Sequence, residues 1–145
     1  MSDPLYRKEL LRLAADATGA GRLENPHGSA TVHNPACGDR VTVDIRLEDG
    51  RITALAHDTR ACVLAQASAA ILGAQAHGLD SAGLKALSES VAVMLQGGET
   101  PLPPFQAYDV FDGVAGHKGR HKCVLLPLEA ALDALKTSKL AKPGT

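Results

Sequence analysis

Three cysteines and one aspartate are the residues of this chain best suited to chemistry: Cys37, Asp39, Cys62 and Cys123. The stretch "HNPACGD", residues 33–39, sets a thiol and a carboxylate on either side of Gly38. Asn34-Pro35 and Gly38-Asp39 are ordinary turn formers, but a turn has no use for the thiol. Three cysteines do not complete a disulfide framework, and in a reducing compartment they serve as buried apolar residues, reactive thiols or metal ligands. If the three converge, Asp39 supplies a fourth donor, because Gly38 lets the backbone turn Cys37 and Asp39 toward one ion. Three thiolates and a carboxylate suit a tetrahedral zinc and equally the four terminal ligands of a [2Fe–2S] cluster. The carboxylate, the harder donor, would be the position most easily opened. Against a site stands the absence of any CxxC pair and the frequency with which free cysteines are simply buried. Spacing alone leaves both readings open.

Each cysteine falls at an expected element boundary. Cys37 lies in the loop before a hairpin, Cys62 at the start of an Ala-rich helix, and Cys123 just before the last helix. Helix N-termini favour thiolate over thiol, and loops at element ends let residues distant in sequence meet. Asp3-Pro4 predicts a first helix through "LYRKELLRLAADA", with Leu5, Leu10, Leu11 and Leu13 along one face, ended by Gly19 and Gly21. "GSATVH" predicts a short strand closing at Pro35. Val41, Val43, Ile45 and Leu47 alternate with polar residues, and Asp49-Gly50 is a favoured hairpin pair. Helices follow over "ACVLAQASAAILGAQAHG" and, from Asp80 or Ser81, over "DSAGLKALSESVAVMLQGG". Next comes a Pro-rich excursion with a short turn or helix around Tyr108 to Val114, then a last helix starting near Pro127. Strands first and helices later predict an α+β fold, a small three-stranded antiparallel sheet packed by four to five helices; a transfer role, in which donor and acceptor proteins must both reach the metal, would leave the site exposed at one end.

The 145 residues fit one domain spanning 1–145, with a frayed tail from 138 to 145. A formal charge of −1 gives no reason to expect nucleic acid or an anionic membrane as partner. No apolar run approaches a membrane span, and "MSDPLYRKEL" lacks a signal-peptide core, which predicts a cytoplasmic address.

The residues around all three cysteines resemble one family, the U-type iron–sulfur cluster assembly proteins. "NPACGD" resembles its first-cysteine signature, Asn-Pro-x-Cys-Gly-Asp. "ACVLAQASAAIL" is similar to the second, with Ala67-Ser68-Ala69 after Cys62. "VFDGVAGHKGRHKCVLLPLEAAL" resembles the third, including Gly113-Val114 and Arg120. "LYRKELL" and "GRL" fit as well, so the resemblance covers essentially the whole chain. The scaffold branch of that family has a histidine directly before the third cysteine, where this chain has Lys122. The long "GGETPLPPFQAYDVFDGVAG" segment looks like the insertion of the SufU-type branch.

The resemblance to that branch implies a zinc site of Cys37, Asp39, Cys62 and Cys123. It also implies sulfur transfer, a cysteine desulfurase passing a persulfide to Cys37 for downstream assembly or recipient proteins. Such a protein is a sulfur acceptor rather than a conventional turnover enzyme. In the scaffold branch the same positions would hold a transient [2Fe–2S] cluster. Two other classes fit the residues: a zinc-stapled interaction module without transfer chemistry, and a metal-free thiol regulator. Ala61 stands where the family usually has Gly, and His57 where an aromatic is common. His57 and His117 are expected at the surface, His121 outside the site, and Arg120 either beside a displaced carboxylate or partner residue or in solvent.

Overall fold

Val41, Val43 and Ile45 are fully buried, and the strand that carries them, β2 (Asp39–Glu48), is the middle of the sheet. It pairs antiparallel with β1 (Gly28–Asn34) and β3 (Arg51–Arg60) in the order β1-β2-β3. The computed structural model describes residues 8–35 and 38–141. Asp49 and Gly50, with φ of 55° and 78°, form the two-residue turn that closes the Glu48↔Arg51 pair. Two positive φ values in a row give the turn whose twist matches the strands it joins. The free edge of β3 is covered at two points. The His57 N–H donates to Gly19 (2.9 Å) and the Gly21 N–H to His57 (2.8 Å), while Ile52 exchanges bonds with Leu79 and Gly78 (both 2.8 Å). Such cover removes unpaired strand groups that would otherwise invite foreign chains.

Four α-helices are described: α1 (Lys8–Asp16), α2 (Val63–Gln75), α3 (Ser81–Leu95) and α4 (His121–Ala141). Two 3₁₀ segments, Gln106–Val114 and Lys118–Arg120, lead into α4. α4 lies across β1 and β2; α2 packs beside it against β3, with α1 on α2 and α3 on α4. The contact of β1 with α4 is so close that a Cβ at Gly28 would sit 2.1 Å from the Ala134 carbonyl oxygen. α2 buries Leu64, Ala65, Ala67, Ala69, Ala70, Ile71 and Leu72, as a helix enclosed on most sides must. Among the described residues no helix is long and apolar enough to cross a membrane.

The expected α+β architecture is what the chain adopts, with some boundaries moved. Asp80 caps α3 by accepting the Gly83 N–H at 2.7 Å, and the excursion buries Tyr108, Phe111 and Val114. In α1, Leu10 is buried but Leu11 is 48% exposed, because neighbouring helical residues point about 100° apart. The expected start at Asp3-Pro4 lies outside the described residues. α4 begins at His121 rather than near Pro127, which sits inside it. In the second turn of the helix, Pro127 gives up the hydrogen bond to the Cys123 carbonyl and crowds that oxygen. The tail expected to fray from Ser138 is helical to Ala141, with the Ser138 side chain buried and donating to the Leu135 carbonyl at 2.7 Å.

One polar cluster holds the chain across the other face of the sheet. Asp44 is fully buried and accepts from Arg22 Nε (2.6 Å), the Leu23 N–H (3.1 Å) and Ser29 Oγ. Burial alone would push its carboxyl up, but the bonds from Arg22, Ser29 and Leu23 outweigh it and hold the group below the usual carboxylate range. A depressed carboxyl stabilises the fold above its unfolded value, near pH ~4, and that contribution is lost as pH falls through the folded value. Asp44→Asn is therefore expected to cost about 1–3 kcal/mol in urea unfolding at pH 7. The gap to the native chain should shrink when the titration is repeated below pH ~4, where the unfolded chain's carboxyl takes up a proton first and the folded one only at lower pH. A gap that stays constant with pH would contradict this account.

Candidate metal centre

The β1–β2 ladder ends at Asn34↔Asp39. Just before Asp39, Gly38 has φ of 76° and its N–H donates to the Asn34 carbonyl at 2.8 Å. No atom of the described residues lies near a Cβ built on Gly38, so it is the backbone angle that calls for glycine there. Asp39 then opens β2 on the helix side of the sheet. It is buried, and its Oδ2 has no hydrogen-bond partner among the described residues.

Cys62 is the N-cap of α2, with extended backbone and no hydrogen bond from its side chain to the helix. Its carbonyl takes the Gln66 N–H at 3.0 Å, and the Gln66 side chain donates to the Ala61 carbonyl at 2.9 Å. Ala61 is absent from the residues with positive φ, so alanine stands there without backbone strain. Cys123 is in the first turn of α4, not ahead of it, and is 1% exposed. One residue on, the Val124 carbonyl accepts a buried hydrogen bond from Ser68 Oγ at 2.6 Å. That bond ties α2 to α4 one residue past Cys123.

These placements bring ligand atoms of Asp39, Cys62 and Cys123 within 4.8 Å of one another. A tetrahedron with bonds of ~2.3 Å separates its donors by about 3.8 Å, so the three need only a small contraction to bind one ion. Both thiols sit at helix N-termini, where the helix dipoles favour negative charge. A buried carboxylate oxygen without a partner beside two soft donors fits a cation such as zinc. The fourth expected residue, Cys37, lies outside the described residues.

The histidines take other places. His57, expected at the surface, is buried beneath residues 18–21. Its Nε2 donates to the Thr18 carbonyl and its Nδ1 accepts from Thr59 Oγ1, both at 2.9 Å. Burial holds its pKa below the ordinary value despite the Thr18 carbonyl. His121 donates Nε2 to the Ala115 carbonyl at 3.0 Å and is not in the donor group. His117 and Arg120 are exposed, as is Lys122. Sequence reasoning noted Ser68 as part of a motif but not as the bolt between the helices. A lone hydroxyl in an alanine run was the available signal.

A model of the NifU-like N-terminal domain matches residues 5–124. The iron–sulfur cluster assembly scaffold protein IscU of Thermotoga maritima is 24% identical over 139 residues, 96% of each chain. The IscU 1 scaffold of Archaeoglobus fulgidus is 35% identical over 95 residues, 64% of this chain and 61% of that one. Among solved structures, a nitrogen-fixing NifU-like protein (N-terminal) from Brucella abortus superposes with a TM-score of 0.89 at 32% identity, covering 95% of this chain and 96% of the other. The SufU protein of Fervidobacterium islandicum AW-1 gives 0.80 at 25% identity, covering 93% and 99%.

Ser68→Ala leaves the Val124 carbonyl buried without this donor. Inside α4 that carbonyl keeps its helical N–H partner, so the substitution is expected to lower unfolding free energy by about 0.5–1.5 kcal/mol in urea titration. No measurable change would mean that apolar packing alone fixes the relative placement of the two helices.

Proposed function

The chain belongs to the NifU-like N-terminal domain family, the U-type iron–sulfur cluster assembly proteins, and from that membership we propose that it accepts sulfur at Cys37 on a zinc site of Cys37, Asp39, Cys62 and Cys123. The observation that carries this reading is the convergence of Asp39, Cys62 and Cys123, with a buried carboxylate oxygen that has no partner among the described residues, two positions after Cys37 in sequence. The long excursion of residues 97–116 and Lys122 before the third cysteine support the SufU-type branch. We take residues 1–145 as one such domain, working in the cytoplasm.

Zinc, when bound, would keep the thiols deprotonated and mask Cys37 until a partner approaches. The protein's part is then nucleophilic. The Cys37 thiolate attacks the terminal sulfur of a persulfide on a cysteine desulfurase. A new S–S bond forms at Cys37 as the donor's S–S bond breaks, and the donor cysteine leaves as thiolate. No outside oxidant is needed. A downstream assembly or recipient protein then takes the sulfur.

Metal analysis of anaerobically purified protein tests the reading. One zinc per chain without acid-labile sulfide is expected, and Cys37→Ser should abolish sulfur acceptance while the circular dichroism spectrum stays native. Iron and sulfide in equal amounts would instead favour the second reading, a scaffold carrying a transient [2Fe–2S] cluster as cargo, the function named for the IscU relatives.

Under that second reading Asp39 is the labile ligand, since a carboxylate holds soft metal less firmly than a thiolate. Asp39→Ala is then expected to lengthen the lifetime of a reconstituted cluster, followed by its visible absorbance. Faster loss would remove the labile-ligand role.

A further inference from the structure

At the site end of the sheet, on the face turned away from the helices, three basic side chains stand in one cross-strand row. The register pairs His33 with Arg40 and Arg40 with Arg60, so the three project from adjacent strands about 5 Å apart. All three are exposed. Arg60 has one carboxylate near it, Asp58 at 3.7 Å, and no salt bridge to Arg40 is formed by the described residues. Like charges directly opposite on a sheet repel, so folding alone gains nothing from this row.

The row is also placed where a partner of the site must pass. Arg40 adjoins Asp39, Arg60 is two residues before Cys62, and the exposed Lys122 adjoins Cys123. Each described segment that delivers a donor atom thus delivers a base as well, in a chain whose formal charge is −1. The opposite end of the same face is closed by residues 22–25, held by Asp44 and by the Arg46 guanidinium on the Asn25 carbonyl. Among the described residues nothing closes the site end in the same way.

We infer that the His33–Arg40–Arg60 row is a docking surface for an acidic patch on the protein that delivers sulfur to the site. This rests on the sulfur-acceptor reading and adds to it the chemistry of the partner and the face that meets it. Rim charges of this kind act chiefly by steering encounter, and their effect fades with salt. A protein surface is favoured over an extended polyanion because the basic groups form one short row beside the site rather than a stripe along the molecule.

The test measures affinity of the full-length protein for its cysteine desulfurase at low and high salt, comparing the native chain with Arg40→Glu/Arg60→Glu and Arg40→Gln/Arg60→Gln. The reversal is expected to weaken binding about tenfold or more at ~50 mM NaCl, the glutamine pair less, with the three converging near ~500 mM. Equal affinities at low salt would overturn the docking surface while leaving sulfur acceptance intact. A deficit unchanged by salt would also overturn it, by showing that folding rather than charge was altered. Tighter binding of a DNA duplex or an anionic phospholipid vesicle through the same residues would overturn the acidic-protein assignment. A native chain that neither binds the desulfurase nor takes its sulfur would remove the acceptor reading itself, and this surface with it.

Discussion

The alternation of β2 sends Asp39, Val41, Val43 and Ile45 toward the helices and Arg40, Thr42 and Asp44 the other way. Fully burying each of the three apolar side chains is worth about 1.5–3 kcal/mol, and a one-residue slip would turn all of them to the wrong side. The carboxylate at the head of the strand therefore takes its direction from the core. Asn34, opposite Asp39, is buried with it, while Arg40 and its cross-strand neighbours face outward by the same parity. One register thus places both the candidate metal ligand and the basic row.

The thiols depend on the helices in a comparable way. Cys62 is fixed because α2 must start where β3 ends, and Cys123 because α4 starts beside it. The two helices are kept in step by the Ser68–Val124 bond and by small residues, Ala65, Ala67, Ala69, Ala130, Ala131 and Ala134, all buried. Alanine lets helices approach closely without filling the space where the donors meet. On the far side of α2, Gly73 lets the helix press on the Thr18 carbonyl, the same carbonyl that His57 binds. The chain segment that covers the edge of β3 is thereby clamped from two directions.

Much of this was legible in the sequence because its signals are local. Period-two alternation marked β2, Asp49-Gly50 marked the hairpin, and Asp80 marked the start of α3. The errors came where tertiary context decided. Pro127 reads as a helix start, yet the helix runs back to His121 because burial of Cys123 and Val124 adds a turn that propensity alone would not add. His57 reads as a polar strand residue, and becomes a buried one because residues 18–21 fold over it and satisfy both ring nitrogens. Asp44 is an acid in an alternating strand and reads as solvent-facing; its burial requires Arg22, more than twenty residues earlier, which no periodicity connects to it. That Asp39, Cys62 and Cys123 share one place followed from family resemblance, since their spacing matches no local metal motif.

The donor group sits at the edge of a large apolar core. Zinc-dependent modules lack enough apolar burial to fold without metal, whereas here Leu10, Ile52, Ile71, Leu84, Leu95, Tyr108, Phe111 and Leu128 form one buried cluster that takes in Cys123, with Cys62 packed against it. Leaving the Asp39 oxygen buried and unpaired costs on the order of 1–3 kcal/mol, small against the burial that holds the sheet to its helices. Such a fold can carry a donor set that the described residues leave incompletely satisfied. A core of this size sets the chain apart from a module that a metal alone staples together.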